Sequence, residues 1–290
     1  MKNLRECLKD AQQQKIAIGH FNISDIAALL AIFDAARELN LPVIIGLSEG
    51  ERGFVGVRQA AALVKSLREE YDYPIFINAD HTYTLDGIKK AAEAGFDMVI
   101  FDGAKLSFEE NIKQTKAAAE IARSINPNIL VEAEIGYIGS SSKLLDSLPE
   151  GALTDESALP SAEMAKKFVT ETGIDLIAPA VGNIHGMLKN MPNPRLKINR
   201  IREIAEACGV PLVLHGGSGI VDSDFNEAIE AGIRIIHINT EIRVAWRKGI
   251  EEAFKADANE VTPYKILASA RQEVKKIVIN RLKLFNKIAH

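Results

Sequence analysis

A chain of 290 residues that is 47% hydrophobic and 26% charged can bury a large core and still present a solvated surface. At roughly 150 residues per domain, that length fits two domains or one large α/β barrel, and it excludes a small disulfide-stapled module. Lys and Arg number 35 against 39 Asp and Glu, a net charge of −4 with no long run of one sign, which argues against a general nucleic-acid or anionic-membrane binder.

The opening residues carry Arg5, Glu6, Lys9 and Asp10 where a secretory signal needs an unbroken apolar core. The apolar run 27–33 falls well short of the ~20 residues that span a membrane, so a cytoplasmic location with no membrane segment is expected. Cys7 and Cys208 form no metal-type pair and ask for no oxidising compartment.

From residue 16 onward, short β-branched runs alternate with stretches of helical periodicity, the pattern of repeated βα units on a parallel sheet. Strands are predicted at 16–21, 43–47, 75–79, 98–101, 129–135, 176–180, 212–215 and 233–238. Helix starts are expected at Ser24-Asp25, Thr84, Ser107 and Asp222-Ser223. Gly95, Gly173, Gly209 and Gly232 follow helical patterns where a left-handed cap residue is wanted. Eight strands favour a (β/α)8 TIM barrel as a single domain over 1–290; a doubly wound open sheet repeats the same units and remains the structural rival. The segment 136–161 is long, rich in Ser and Gly and weakly periodic, the profile of an active-site loop. Beyond Glu241 helical periodicity continues into a tail over 262–290, with Pro263 read as a first-turn proline opening a helix that packs on a neighbouring subunit.

Barrels of this kind place their chemistry at the C-terminal ends of strands. Five of the six histidines lie at or beside such ends; His290 is the last residue. His81, His185 and His215 follow the third, sixth and seventh strands, and a closed barrel would gather them around one axis. Three imidazoles plus an open position suit a catalytic zinc-type ion that polarises a carbonyl. A lone strand-end histidine is more simply a hydrogen-bonded residue; three together favour the metal. His215-Gly216-Gly217-Ser218-Gly219, followed by Asn239-Thr240 after the last strand, offers backbone N–H groups and hydroxyls to a phosphate.

Eight segments carry a family resemblance: GHFNIS at 19–24, PVIIGLSEG at 42–50, NADHT at 78–82, AGFDMVIFDGAKLSFEENI at 94–112, VEAEIGYIG at 131–139, GNIHG at 182–186, VLHGGSGI at 213–220 and HINTEIR at 237–243. In order and spacing the chain resembles the class II, metal-dependent ketose-bisphosphate aldolases, which cleave fructose or tagatose bisphosphate. The resemblance implies that His81, His185 and His215 bind the catalytic divalent ion, Zn2+ or another such as Co2+ or Mn2+. It implies that Asp102 and Glu134 hold a second metal or orient the histidines, and it allows a monovalent cation. By the same resemblance Asp80 exchanges a proton with the C4 hydroxyl, while Ser48, Gly186, Gly216, Gly217, Ser218, His237, Asn239 and Thr240 contact the substrate. The implied partner is a sugar bisphosphate, and the implied assembly a homodimer or homotetramer. None of the eight strands carries an internal lysine for an imine mechanism.

Two departures stand out. The family's loop acid is replaced by Ser140, Ser141 and Ser142, and Glu150, ahead of Asp146, is the expected stand-in for protonating the intermediate. His237 occupies a position that is usually asparagine, with His20 and Glu51 as further unusual neighbours. A metal-dependent barrel hydrolase and a non-catalytic sugar-phosphate binder are the competing functions; the hydrolase class often needs a His-x-His pair on the first strand, where His20 stands alone.

Overall fold

In the computed structural model, which describes residues 1–152 and 155–289, eight parallel strands close into a barrel. They run over Ile18–Asn22, Val43–Leu47, Ile75–Thr82, Met98–Phe101, Leu130–Ile135, Leu176–Pro179, Leu212–Leu214 and Ile233–Ile238. The first strand pairs with both the second and the last, with Ile18 opposite Ile235 and Gly19 opposite Val43. That closure excludes the open-sheet alternative. Leu153, Thr154 and His290, which belong to the expected loop and tail, lie outside the described residues.

Inside the barrel, the two-residue period of each strand gives one inward face that changes character along its length. Ile18, Ile44, Phe76, Met98, Leu130, Leu176, Val213 and Ile235 form an apolar layer at the strands' N-terminal ends. Leu4, Cys7, Leu8 and Ala11 of the helix Leu4–Gln14 join it, plugging the floor. Two and four residues further on, the same faces present His20 and Asn22, Asn78 and Asp80, Glu132 and Glu134, and His215 and His237, all buried. The larger apolar cluster fills the space between strands and outer helices.

Asp25, Thr84 and Ser107 each cap a helix as expected, accepting from the N–H three residues on. All four cap glycines have positive φ. The helix expected after Asp222-Ser223 instead begins at Asp222, with Val221 in the cap position. There the buried Asp224 carboxylate accepts from Leu196 N–H and pairs with Arg195. In the 136–161 segment, Leu144–Leu145 forms a short parallel ladder with Met187–Leu188, just after His185. Pro263 does open the tail helix, Pro263–Phe285. Its apolar face is covered by its own chain: Ala270, Val274, Val278, Leu282 and Phe285 are buried, and the helix packs on Ile26–Leu39 and Thr240–Ala256. No helix among the described residues is long and apolar enough to cross a membrane.

Candidate metal centre and active site

The third strand would normally send Asp80 and His81 to opposite faces. A register shift between Ala79 and Thr82, with His81 in the left-handed region at φ 46°, breaks the alternation and turns both side chains to the barrel mouth. Such a backbone costs a non-glycine residue on the order of 1 kcal/mol or more and persists where surroundings enforce it. Buried Arg52 supplies the enforcement, donating to the carbonyls of Leu47 and, at 2.8 Å, Asp80, and to Thr82 Oγ1 at 3.0 Å.

Ligand atoms of His81, Glu134, His185 and His215 all lie within 4.8 Å of one another. His215 Nδ1 faces Glu134 Oε1 at 2.6 Å as an ion pair when the ring is protonated, and buried His185 Nε2 has no hydrogen-bond partner. A buried polar atom left unbonded is costly unless something else satisfies it. Three imidazoles and one carboxylate suit a borderline divalent ion such as zinc or cobalt, so the donor set fits the expected metal. Two further carboxylates orient the rings: Asp102 Oδ2 lies 2.9 Å from His81 Nδ1, and Glu132 Oε1 lies 2.6 Å from His215 Nε2. Asp102 is thus hydrogen-bonded to a ring, while Glu134 belongs to the cluster itself.

Electrostatics follow from burial and these carboxylates. Burial opposes a charge on His81, but Asp80, Glu134 and Asp102 outweigh it and lift its pKa to about 9. For His215 burial is likewise overcome, by Glu134 and Glu132, and the shift is well upward. His185, buried beside those two rings, is pushed well down. Burial alone would raise Asp80, yet His81 and His237 hold it well below the usual carboxylate range. Asp80 is therefore an anion at neutral pH, with Oδ2 accepting from Asn22 and Oδ1 facing His237 Nδ1 at 3.4 Å and His81 Nε2 at 3.7 Å.

His237 lies in a stack of three imidazoles, 3.4 Å from His20 and 4.0 Å from His215 between ring centroids. Gly46 makes room, since a Cβ there would meet His20 Cε1 at 2.1 Å. Beside the stack, Asp80, His81, His185, Gly186, Gly216, Ser218, His237, Asn239 and Thr240 line one small cavity, together with Asn22 and Ser142. Gly217 lies behind this wall, its N–H bonded to His237 O at 3.0 Å. A Cβ at Gly216 would strike Ile184 O at 2.1 Å, so the backbone approaches too closely for any other residue. The helix Thr240–Ala256 begins here without a side-chain cap, and Asn239 Oδ1 is buried without a partner. Its N-terminus offers a positive dipole end to an anion, and Glu241 N–H donates to Ser218 Oγ at 3.2 Å, holding that hydroxyl at the same place. Ser48 lines an adjoining cavity of 260 Å³ with Glu49, Tyr83, Ser140 to Ser142 and Arg243.

Glu150 is not brought to this centre. It lies exposed in a turn and lines neither cavity, and Asp146 is held by Lys189 at 2.8 Å on the surface. Conversely, Asn22, Arg52, Glu132, Ser142 and Arg243 carry no expected role yet surround the site. Glu132 was signalled by its two-residue spacing from Glu134, and Arg243 by lying three residues beyond Thr240 on one helix.

A family model described as class-II fructose-bisphosphate aldolase matches residues 2–290. A Bacillus subtilis protein named "Probable fructose-bisphosphate aldolase" is 35% identical over 286 residues, covering 98% of this chain and 96% of the relative. The fructose-bisphosphate aldolase of Geobacillus stearothermophilus is 34% identical over the same shares. The crystal structure of the YdjI aldolase from Escherichia coli K12 superposes with a TM-score of 0.79 at 29% identity, covering 98% of this chain and 96% of that one. The chain belongs to the class II fructose-bisphosphate aldolase family.

Proposed function

We propose that this protein is a metal-dependent aldolase that reversibly cleaves fructose 1,6-bisphosphate to dihydroxyacetone phosphate and glyceraldehyde 3-phosphate. The observation that carries the reading is the convergence of ligand atoms of His81, Glu134, His185 and His215 within 4.8 Å of one another, with buried His185 Nε2 lacking any hydrogen-bond partner. His81, His185 and His215 would hold the ion, with Glu134 as a fourth donor. A divalent ion bound there supplies a Lewis acid toward the substrate carbonyl.

Breaking the C3–C4 bond requires the C4 hydroxyl to lose its proton as the aldehyde leaves, while the electron pair left on C3 spreads onto the C2 oxygen and C3 then takes a proton from solvent to give dihydroxyacetone phosphate. Asp80 takes the hydroxyl proton: it is ionised, it lines the small cavity, and its Oδ1 has no nearer ion-pair contact than His237 Nδ1 at 3.4 Å. In condensation the same oxygen returns it. The phosphate of the dihydroxyacetone half binds at Gly186, Gly216, Ser218 and Asn239-Thr240, beside the N-terminal end of the helix Thr240–Ala256, while Gly217, its N–H taken by His237 O, only shapes the wall behind. His237 and Asn239 contact the substrate's polar groups, and Ser48 contacts its far half. A cytoplasmic homodimer or homotetramer is the setting that the family resemblance favours.

A coupled assay with fructose 1,6-bisphosphate tests the reading. Chelation should abolish cleavage, zinc or cobalt should restore it, and Asp80→Asn should lower kcat by about a hundredfold or more with the metal still bound. Full turnover after exhaustive metal removal refutes the scheme. Tagatose 1,6-bisphosphate differs only at C4, the centre that Asp80 addresses, and kcat/KM for the two substrates assigns the preference.

A further inference from the structure

Glu51 is a carboxylate buried at the edge of the site, and its hydrogen bonds lead in two directions. Its Oε2 accepts from Ser48 N–H and from Asn22 Nδ2, both at 2.8 Å. The same Asn22 amide group donates to Asp80 Oδ2 at 2.9 Å. On the other side Glu51 Oε1 pairs with Arg243 Nη2 at 2.7 Å, and Arg243 Nη1 donates to Ser142 O at 2.7 Å.

We propose that Glu51 is a positioning residue: it fixes the Asn22 amide against Asp80 and, through Arg243, ties the 136–161 loop at Ser142 to the same carboxylate. The proposal rests on the reading of Asp80 as the proton-exchanging group. An ionised carboxylate can only accept, so two of them flanking Asn22 force its NH2 group toward both. The amide oxygen is thereby turned away; it is buried without a protein partner, in a residue that lines the small cavity beside Asp80. It is placed to accept from a substrate hydroxyl. Replacing one carboxylate by a neutral amide removes the constraint, because a donor at position 51 can then satisfy the Asn22 oxygen and let the amide turn over.

Glu51 also completes a capping box with Ser48 at the helix Glu49–Val55. Capping needs only the Ser48 contact. The bonds to Asn22 and Arg243 reach residues far away in sequence and hold no turn of that helix. The loop is fixed from its other side by the ladder of Leu144–Leu145 with Met187–Leu188. Arg243 is thus the strap on the side facing Glu51, and it ends one residue before the exposed Lys143, whose carbonyl accepts from Met187 N–H at 3.0 Å, so cutting there needs both the strap and the start of the ladder to open.

Lys143 supplies a readout that does not depend on turnover. In Glu51→Gln, and in Arg243→Gln, trypsin should cut after Lys143 at least about fivefold faster than in the wild type, because cleavage follows the population of the open loop. The double variant should be cut no faster than the quicker single variant, since both changes break one connection. Glu51→Gln should also lower kcat about tenfold or more, with KM for fructose 1,6-bisphosphate within about threefold. A merely structural cap would give neither the Lys143 effect nor this split. Wild-type cleavage at Lys143 or wild-type kcat in Glu51→Gln overturns the proposal. If that variant fails to fold, Arg243→Gln carries the test, its side chain being 45% exposed, and unchanged cleavage there overturns the proposal equally. Undiminished turnover in Asp80→Asn instead overturns the reading beneath it, and the Lys143 measurement still reports the tie.

Discussion

Replacing Glu132 by Gln should loosen the metal centre without weakening the fold. Glu132 is fully buried, and its Oε1 is 2.6 Å from His215 Nε2, which leaves Nδ1 facing Glu134. A charge-assisted bond of this kind contributes about 1.5–3 kcal/mol, and Gln retains the geometry but loses the charge. Outer carboxylates on metal-bound histidines typically account for ~10–100-fold in affinity, so the dissociation constant for zinc should rise by about that factor. The effect on the metal-free protein has the other sign. Burial raises the Glu132 pKa above its ordinary value, so any stability this group contributes is present below that value and is lost as pH rises through the folded one. At pH 7 the neutral amide therefore removes a desolvation cost, and the melting temperature of the chelated variant should equal or exceed that of the chelated wild type. Competition against a chromophoric chelator gives the first quantity and scanning calorimetry the second. Unchanged zinc affinity, or a chelated variant that melts several degrees lower, would refute the reasoning.

Gly46→Ala should destabilise the protein by about 1–3 kcal/mol in urea unfolding, because its Cβ meets His20 Cε1 at 2.1 Å and the ring is held on its other side by His237; an unchanged midpoint would show that the stack can yield. Glu150→Gln should leave kcat within about twofold, since the residue is exposed and lines neither cavity, whereas a large loss would restore it as the loop acid. Metal binding should release protons at pH 7. His81 keeps its proton up to about 9 and His215 is raised well above its ordinary value, so the ion must displace both, and apparent affinity should fall as pH drops. Calorimetric titration in two buffers of different ionisation enthalpy measures that release, and none at pH 7 would contradict it.

The strands over Val43–Leu47, Met98–Phe101 and Ile233–Ile238 coincide with their sequence-based bounds because buried parallel strands read as unbroken apolar runs ended by polar residues. The third strand runs on to Thr82, past its expected end at Ala79, because a bulge has no signature in hydrophobic periodicity. The gathering of the histidines and Asp80 at one barrel mouth was legible, since strand ends are where a barrel brings its polar residues together. Arg52 and Arg243 were not: each acts through a long side chain that crosses to another element, 28 residues away for Asp80 O and 101 for Ser142 O. Charge pattern alone cannot tell such an arginine from a solvated one. Glu150 is the converse case, left exposed by the structure. An acid in the right loop satisfies a sequence argument, but loop path decides where it points, and this loop is pinned at Leu144–Leu145 before the chain reaches it.

One architectural decision underlies both the fold and the site. Five inward strand faces, those carrying His20, Asn78, Glu132, His215 and His237, begin with an apolar side chain that closes the floor and go on to polar ones that could not be buried there alone. Asp80, Glu132 and Glu134 are each at most 4% exposed within one barrel mouth, and like charges that close are costly in a low-dielectric interior. Protons on His81 and His215 offset part of that charge, as their raised pKa values record. A divalent cation offsets it more completely, and it satisfies the His185 Nε2 that no hydrogen bond reaches. The same excess of carboxylate that makes the centre expensive to bury is what gives it affinity for a cation, so metal binding and folding should be coupled. Placing the charge at the end of rigid strands rather than on loops keeps the donors convergent before any ion arrives, which is the condition for a tight and geometrically defined metal site.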